Sequence, residues 1–206
     1  MANTPWDRFF EEKMKIMLGQ PITVIDIGGG LRISKQKNNR YDPSREWLRP
    51  LVEQVDYKVL DPVPDYNPDI VGDIHALPFE DNSIDAIICM AVLEHVKNPF
   101  LAMREMYRVL KPGGQLYLYV PFLYYYHPMK PYYDDYWRFT KDGLDELGKI
   151  FTTREIQSVR GAIETWIYLS PLGRFKFCNK IANWLDRKSG KIRSNQTSGF
   201  NMYAVK

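Results

Sequence analysis

The sequence predicts an α/β fold, a doubly wound and mostly parallel sheet with helices on both faces. Apolar β-branched segments alternate with amphipathic segments along the 206 residues, as repeated βαβ units require. Several apolar segments, such as 22–27 and 83–90, are continuous rather than alternating, which is typical of strands buried on both faces. A chain of this length without internal repeats is expected to form one domain.

Five helices are predicted from apolar residues at helical spacing and from helix-end signals. The first has Thr4 as its N-cap and Pro5 at its first helical position. The third carries an apolar stripe through Phe100, Met103 and Tyr107, and a Lys-Pro-Gly-Gly sequence ends it. The predicted helices span residues 5–18, 43–52, 96–110, 140–148 and 172–185.

Short apolar segments between turn residues predict seven strands. They span residues 22–27, 57–60, 69–71, 83–90, 115–120, 151–159 and 200–205. In open parallel sheets, ligands bind beyond the carboxyl ends of the strands. The residues that follow these strands are therefore the first candidates for a functional site.

The first strand ends in Asp26 and is followed by three glycines, Gly28 to Gly30. Glycine allows a sharp turn and a close approach of the backbone to a ligand, although a plain turn after a strand would look the same. The dinucleotide pattern G-x-G-x-x-G is not present because position 33 is Ile, which argues against a dehydrogenase.

Two more strand ends carry acidic residues. Asp61 could accept hydrogen bonds from a ribose diol, or it could cap the turn at Pro62. Asp73 and the apolar Ile74 could contact an adenine ring, or they could belong to an ordinary polar loop. Each pattern is open to both interpretations when it is taken alone.

Four segments follow one another over roughly residues 22–150: VIDIGGG, KVLD, GDIHALPFEDNSIDAIICMAVLEHV and REMYRVLKPGGQLYLYVPF. In sequence and order they resemble the type 11 branch of the class I S-adenosylmethionine-dependent methyltransferases. The resemblance implies a methyltransferase with S-adenosylmethionine as its cofactor. It also implies a Rossmann-like, seven-stranded sheet with a reversed last strand.

The same resemblance assigns eight cofactor-binding residues. The glycine-rich turn would shape the pocket for the methionine part, and Asp61 would hold the ribose hydroxyls. Asp73 and Ile74 would frame the adenine, while Met90 and Ala91 would line the reactive end. The predicted set is Asp26, Gly28, Gly30, Asp61, Asp73, Ile74, Met90 and Ala91.

Residues 121–139 are expected to form an aromatic acceptor loop, because ten aromatic side chains occur within residues 119–139. They could stabilise a sulfonium cation, stack on an acceptor, or pack the loop onto the sheet. Direct in-line transfer to an oxygen or nitrogen nucleophile needs alignment above all. If a proton must leave, His127 is the predicted base, with Asp134 or Asp135 as alternatives. For His95, a role at a helix start or in packing is favoured over catalysis.

Two segments depart from the expected pattern. Gly30 to Asp61 is 31 residues, against about 20 in the comparable dinucleotide-binding unit. Arg32, Lys35 or Lys37 could there contact the cofactor carboxylate or an anionic acceptor, although a surface loop is slightly preferred. Residues 160–193 hold eight Lys or Arg against two acids and are predicted to form a basic, lid-like insertion.

The amphipathic residues 172–187 within this insertion could contact a membrane surface, although packing on the sheet is the favoured outcome. No apolar run is long enough to span a bilayer, and residues 1–20 read as a helix without a signal core, so a cytoplasmic location is expected.

The predicted function is methyl transfer to a small molecule, such as a saccharide or a lipid-linked metabolite. RNA or protein methylation and a non-catalytic S-adenosylmethionine-binding module are the alternatives. Nucleic acid is not favoured as a partner, because no RNA-binding motif occurs. No metal site is predicted, because Cys89 and Cys178 lack partners at ligand spacing.

Overall fold

A seven-stranded sheet forms the centre of the computed structural model, which describes residues 4–20, 22–34 and 41–206. The strands are β1 (Thr23–Ile27), β2 (Asp56–Asp61), β3 (Ile70–Val71), β4 (Ile84–Met90), β5 (Leu110–Pro121), β6 (Thr153–Val159) and β7 (Gly199–Val205). Their order is β3-β2-β1-β4-β5-β7-β6. Because β7 runs antiparallel to both β5 and β6, whereas the other neighbouring strands pair in parallel, the predicted sheet with a reversed last strand is confirmed.

Helices cover both faces of the sheet, as predicted. Over the described residues they are α1 (Pro5–Met17), α2 (Arg49–Val52), α3 (Pro99–Val109), α4 (Lys141–Gly148), α5 (Ala162–Leu169) and α6 (Lys176–Lys188). One core cluster lies between the sheet and α3 and α4. A second lies on the opposite face, beneath α1. No helix in the described ranges has both the length and the apolar character needed to cross a membrane.

Local capping signals placed two helices correctly. Thr4 Oγ1 accepts a hydrogen bond from Asp7 N at 3.1 Å at the start of α1, and Thr140 Oγ1 accepts one from Gly143 N at 3.0 Å at the start of α4. Both are N-caps that satisfy a backbone N–H left free in the first turn.

Helix α5 was missed because its cap is distant in sequence. No side chain next to its first turn caps it. Instead, the buried carboxylate of Asp186, which lies on α6, accepts hydrogen bonds from Ile163 N at 2.9 Å and Glu164 N at 2.8 Å. A helix whose N-terminus is satisfied by another helix leaves no local signal in the sequence.

The predicted apolar stripe of the third helix was partly wrong. Phe100 is 54% exposed, and the face that packs on the sheet carries Ala102, Met103 and Met106 instead. The helix begins at Pro99, which Asn98 caps, so the buried face is rotated. The Lys-Pro-Gly-Gly sequence lies within β5 rather than before it.

Candidate active site

The turn after β1 has a conformation that only glycine accommodates without strain. Gly28 and Gly29 have φ angles of 79° and 61°, in the left-handed region. A Cβ atom on Gly30 would lie 2.6 Å from Met90 Cβ. The backbone of this turn is therefore packed directly against the end of β4.

Asp26 stabilises this turn through hydrogen bonds. Its carboxylate is fully buried and accepts hydrogen bonds from Gly30 N at 2.9 Å, Leu31 N at 3.0 Å and Tyr57 Oη at 2.6 Å. Burial raises the pKa of Asp26 to about 6, although the three hydrogen bonds act in the opposite direction. Asp26 therefore fixes the conformation of the glycine turn through its hydrogen bonds with Gly30 N and Leu31 N.

The carboxyl end of β2 lies beside the same turn, because Gly28 N donates to Leu60 O at 2.8 Å. Asp61 follows Leu60 and is 4% exposed. Its Oδ1 accepts a hydrogen bond from Val63 N at 2.9 Å. Asp61 therefore caps the turn at Pro62. Its carboxylate lies at the sheet edge where the ribose was predicted to bind.

Beyond β3, Asp73 and Ile74 take different positions. The Asp73 side chain is 65% exposed, lies 2.7 Å from His75 Nδ1, and accepts a hydrogen bond from His75 N at 2.9 Å. These contacts hold the pKa of Asp73 below its usual value even though burial acts against them. Ile74 is 5% exposed and belongs to the core.

A cavity of about 1280 Å³ opens at the carboxyl ends of the strands. Of the eight predicted cofactor residues, Gly30, Met90 and Ala91 line it. Three arginines line it as well, Arg32, Arg45 and Arg160. Arg32 was a predicted contact, whereas Lys35 and Lys37 lie outside the described residues.

The predicted acceptor loop contributes to this cavity with part of its aromatic residues. Tyr124 and Tyr133 line it, together with Tyr119 from β5. Other members are at the surface, such as Tyr126 at 73% exposure, and Phe139 is in the core. The loop therefore both forms a wall of the cavity and packs onto the sheet.

Asp135 stabilises the acceptor loop by connecting two of its residues, Arg138 and His127. Its side chain is fully buried and forms a bidentate ion pair with Arg138, with N–O distances of 2.5 and 2.7 Å. It also accepts a hydrogen bond from His127 N at 2.7 Å. The Arg138 guanidinium lowers the pKa of Asp135 to about 2, against the effect of burial, so this carboxylate is a weak base.

Asp134 faces away from the cavity. Its carboxylate pairs with Lys130 and accepts a hydrogen bond from Tyr136 Oη at 3.0 Å. The Lys130 contact is also the main reason for its lowered pKa. Of the three candidate bases, His127 is the one that lines the cavity.

Glu94 is a site residue that sequence reasoning missed. It is buried in the cavity wall, between His95 and His127. The Glu94 carboxylate is the main cause that raises the pKa of His127 above its ordinary value. The available signal was its position between two predicted site features, directly before His95 and just after the end of β4.

The 160–193 segment forms a helical pair whose apolar residues are largely exposed. Trp166 on α5 is 76% exposed, and Phe177 and Trp184 on α6 are 71% and 56% exposed. The expectation that the amphipathic face of 172–187 packs on the sheet was wrong for Trp184. α6 packs on α5 instead, with Ala182 and Asp186 as its buried residues.

Residues 18–118 match the family model described as a methyltransferase domain, type 11. The chain is 33% identical over 120 residues to a ubiquinone/menaquinone biosynthesis C-methyltransferase, UbiE, of Enterobacter sp., covering 54% of this chain and 46% of that protein. It is 53% identical over 47 residues to a demethylmenaquinone methyltransferase of Renibacterium salmoninarum, covering 23% of this chain and 20% of that protein. The chain thus spans less than half the length of these curated relatives.

Two solved structures share the fold across nearly the whole chain. An S-adenosylmethionine-dependent methyltransferase from Archaeoglobus fulgidus superposes with a TM-score of 0.60 at 14% identity, covering 97% of this chain and 92% of that one. A 1,6-didemethyltoxoflavin-N1-methyltransferase of Burkholderia thailandensis, solved with S-adenosylhomocysteine, gives 0.56 at 17% identity, covering 97% and 77%. At these identities the likeness establishes the fold.

Proposed function

Since this chain belongs to the class I methyltransferases, in the type 11 branch that residues 18–118 match, we propose that it transfers a methyl group from S-adenosylmethionine to a small molecule. The observation that carries the proposal is the juxtaposition at one sheet edge. The glycine turn follows β1 there, the buried Asp61 ends the neighbouring strand β2, and Gly30 lines a large cavity. We propose residues 1–206 as one methyltransferase domain.

The residues at this edge fit the cofactor. Gly30 packs closely on Met90 and lines the cavity, and we propose that the backbone of this turn contacts the methionine part. We propose Asp61 as the acceptor for the ribose hydroxyls, and Asp73 with Ile74 as the residues that frame the adenine. Met90 and Ala91 line the cavity at the end of β4, which suits the reactive end.

The bound cofactor supplies an electrophilic methyl carbon, so the task of the protein is alignment and proton removal. Tyr119, Tyr124 and Tyr133 offer ring faces to a cation or to an acceptor ring. Where the nucleophile carries a proton, His127 is our first candidate to accept it. Asp134 and Asp135 rank lower, because both are held in ion pairs.

The acceptor is proposed to be a small molecule with an oxygen or nitrogen nucleophile, such as a saccharide or a lipid-linked metabolite. Quinone C-methylation is the competing candidate, because the relatives named above act in menaquinone and ubiquinone biosynthesis. RNA or protein methylation and a non-catalytic binding module rank lower.

Calorimetric titration with S-adenosylhomocysteine tests the cofactor site. We expect micromolar binding by the wild-type protein and at least tenfold weaker binding by Asp61→Ala, about 1.4 kcal/mol. Asp61→Asn keeps an acceptor for Val63 N and separates ribose binding from turn capping. Asp56→Ala, at the other end of β2 and exposed, should bind as the wild-type protein does. Absence of wild-type binding would refute the proposed activity.

We further propose that the α5–α6 pair makes peripheral contact with an anionic membrane surface. Exposed Trp166, Phe177 and Trp184 are accompanied by exposed cations, a combination suited to the interface of a bilayer with acidic lipids. Such contact would bring the cavity near a lipid-linked acceptor. A cytoplasmic location stays a prediction.

Co-sedimentation with vesicles of phosphatidylglycerol and phosphatidylcholine checks this contact. The wild-type protein should sediment at low salt and be released at high salt, because exposed charges are screened. The double variant Trp166→Ala/Trp184→Ala should sediment at least fivefold less. Tyr126→Ala, an equally exposed aromatic on the acceptor loop, is the matched control. If the double variant sediments as much as the wild-type protein does, the proposed membrane contact of the α5–α6 pair is wrong.

A further inference from the structure

The Glu94 carboxylate is in an unusual environment. The residue is 0% exposed, and within the described part of the chain neither carboxylate oxygen has a hydrogen-bond partner. An ionised carboxylate removed from water without compensation costs several kcal/mol. A buried carboxylate of this kind indicates a positive group that binds beside it.

Two histidine rings turn the same nitrogen toward this carboxylate. His127 Nε2 lies 3.7 Å from Glu94 Oε1, and His95 Nε2 lies 3.9 Å from the same oxygen. Both separations are too long for hydrogen bonds. The two rings are in contact, with centroids 4.9 Å apart, so the three side chains surround one small space.

The opposite ring nitrogens are anchored by the backbone. His95 Nδ1 lies 2.7 Å from Asp134 O, and His127 Nδ1 lies 2.9 Å from Tyr125 O. A carbonyl oxygen can only accept, so each Nδ1 carries the proton, and in the neutral ring each Nε2 presents a lone pair. This second contact is the one that orients histidine ligands in metal sites.

We propose that Glu94, His95 and His127 bind a divalent first-row transition metal ion. The ligand atoms all lie within 4.8 Å of one another. A cation about 2.1 Å from each needs separations of about 3.0–3.5 Å, which small side-chain rotations supply. Two imidazoles and one carboxylate suit Mn²⁺, Fe²⁺, Co²⁺ or Zn²⁺.

We infer the role of the metal ion from the position of its site, and this role rests on the proposed methyltransferase function. All three ligands line the cavity, so the open coordination positions face the acceptor. A hydroxyl bound there has a lowered pKa and loses its proton to solvent. The oxygen then forms a bond to the methyl carbon as the carbon–sulfur bond breaks, and that electron pair stays on sulfur.

A bound metal ion would change both the role of His127 and the choice of acceptor. In the metal-bound protein His127 is a ligand, and the cation replaces it as the group that activates the acceptor. A hard dication also selects an acceptor whose hydroxyl binds it as an alkoxide or phenolate. The site therefore favours O-methylation over C-methylation.

Metal binding by the purified, chelator-treated protein tests the site without any assay of activity. Calorimetric titration with MnCl₂ should show one site per chain, and Co²⁺ from CoCl₂ should show visible d–d absorption that differs from that of the ion in water. Glu94→Gln and His127→Gln should each weaken Mn²⁺ binding at least tenfold. His75→Gln is the control, because His75 is the one histidine of the sequence outside the proposed site, and this variant should bind Mn²⁺ as the wild-type protein does.

Thermal unfolding gives a second readout that separates the metal site from a simple ion pair. Mn²⁺ should raise the Tm of the wild-type protein and not that of Glu94→Gln. No Mn²⁺ or Co²⁺ binding, or binding unaffected by Glu94→Gln and His127→Gln, would overturn the proposal. S-adenosylhomocysteine titration of the same samples distinguishes the failures: intact binding leaves the methyltransferase proposal standing without the metal.

Discussion

The Asp135→Asn variant is expected to unfold with a free energy about 2–3 kcal/mol below that of the wild-type protein, because it breaks a partly buried, bidentate ion pair. The substitution removes the charge that faces Arg138 in the bidentate pair. It also weakens the acceptor that fixes His127 N. Urea denaturation at pH 7, followed by circular dichroism, measures the difference.

The dependence of this difference on pH follows from the lowered pKa. Asp135 titrates at about 2 in the folded protein and near 3.9 in the unfolded chain. A lowered folded-state pKa contributes stability that is fully present above the unfolded value and is lost as pH falls. The gap between wild-type and variant should therefore be constant above about pH 5 and shrink between pH 4 and pH 2.

Asp134→Asn is the matched control for this experiment. It changes the neighbouring carboxylate, which is 42% exposed and pairs with Lys130 at the surface. Exposed ion pairs contribute at most about 1 kcal/mol. Equal losses in the two variants would contradict the bracing role of Asp135 in the acceptor loop.

Gly30→Val is expected to weaken S-adenosylhomocysteine binding at least a hundredfold, about 2.7 kcal/mol. Its Cβ would stand 2.6 Å from Met90 Cβ and 3.1 Å from Met90 O. Neither atom is at the flexible end of a side chain, so the turn must move away from β4. That movement would also strain the hydrogen bond from Gly30 N to Asp26.

Calorimetry with a folded variant, verified by circular dichroism, measures this effect. Gly143→Ala is the control, because it adds a Cβ in the first turn of α4, where it meets Thr140 Oγ1 at 3.2 Å. It should bind as the wild-type protein does. Retention of affinity within threefold by Gly30→Val would show that the glycine turn does not contact the ligand.

Several features were predictable from sequence because they depend on neighbours along the chain. Strand periodicity and chain order predicted the parallel sheet, and Thr4 and Thr140 marked two helix starts. The reversed β7 came from resemblance rather than from periodicity, since a strand pattern carries no direction. The acidic and glycine residues at the ends of β1 and β2 were found because a topological rule indicates where ligands bind.

The remaining features depended on contacts between residues distant in sequence. Asp186 caps α5 from another helix, and the exposed face of α5 and α6 results from their packing on each other rather than on the sheet. The contact between Asp135 and His127 N, and that between His127 and Glu94, likewise form only when the acceptor loop folds over the sheet edge.

The sequence by itself thus determined the sheet, its ligand-binding edge and the residues at the strand ends, because hydrophobic period and turn chemistry are local. The tertiary structure alone decided that Glu94 lies buried between His95 and His127. In sequence, Glu94 and His127 are separated by β5 and α3. A shared environment arises only when the acceptor loop folds back over the end of β4, and burial then leaves a carboxylate that a cation can satisfy.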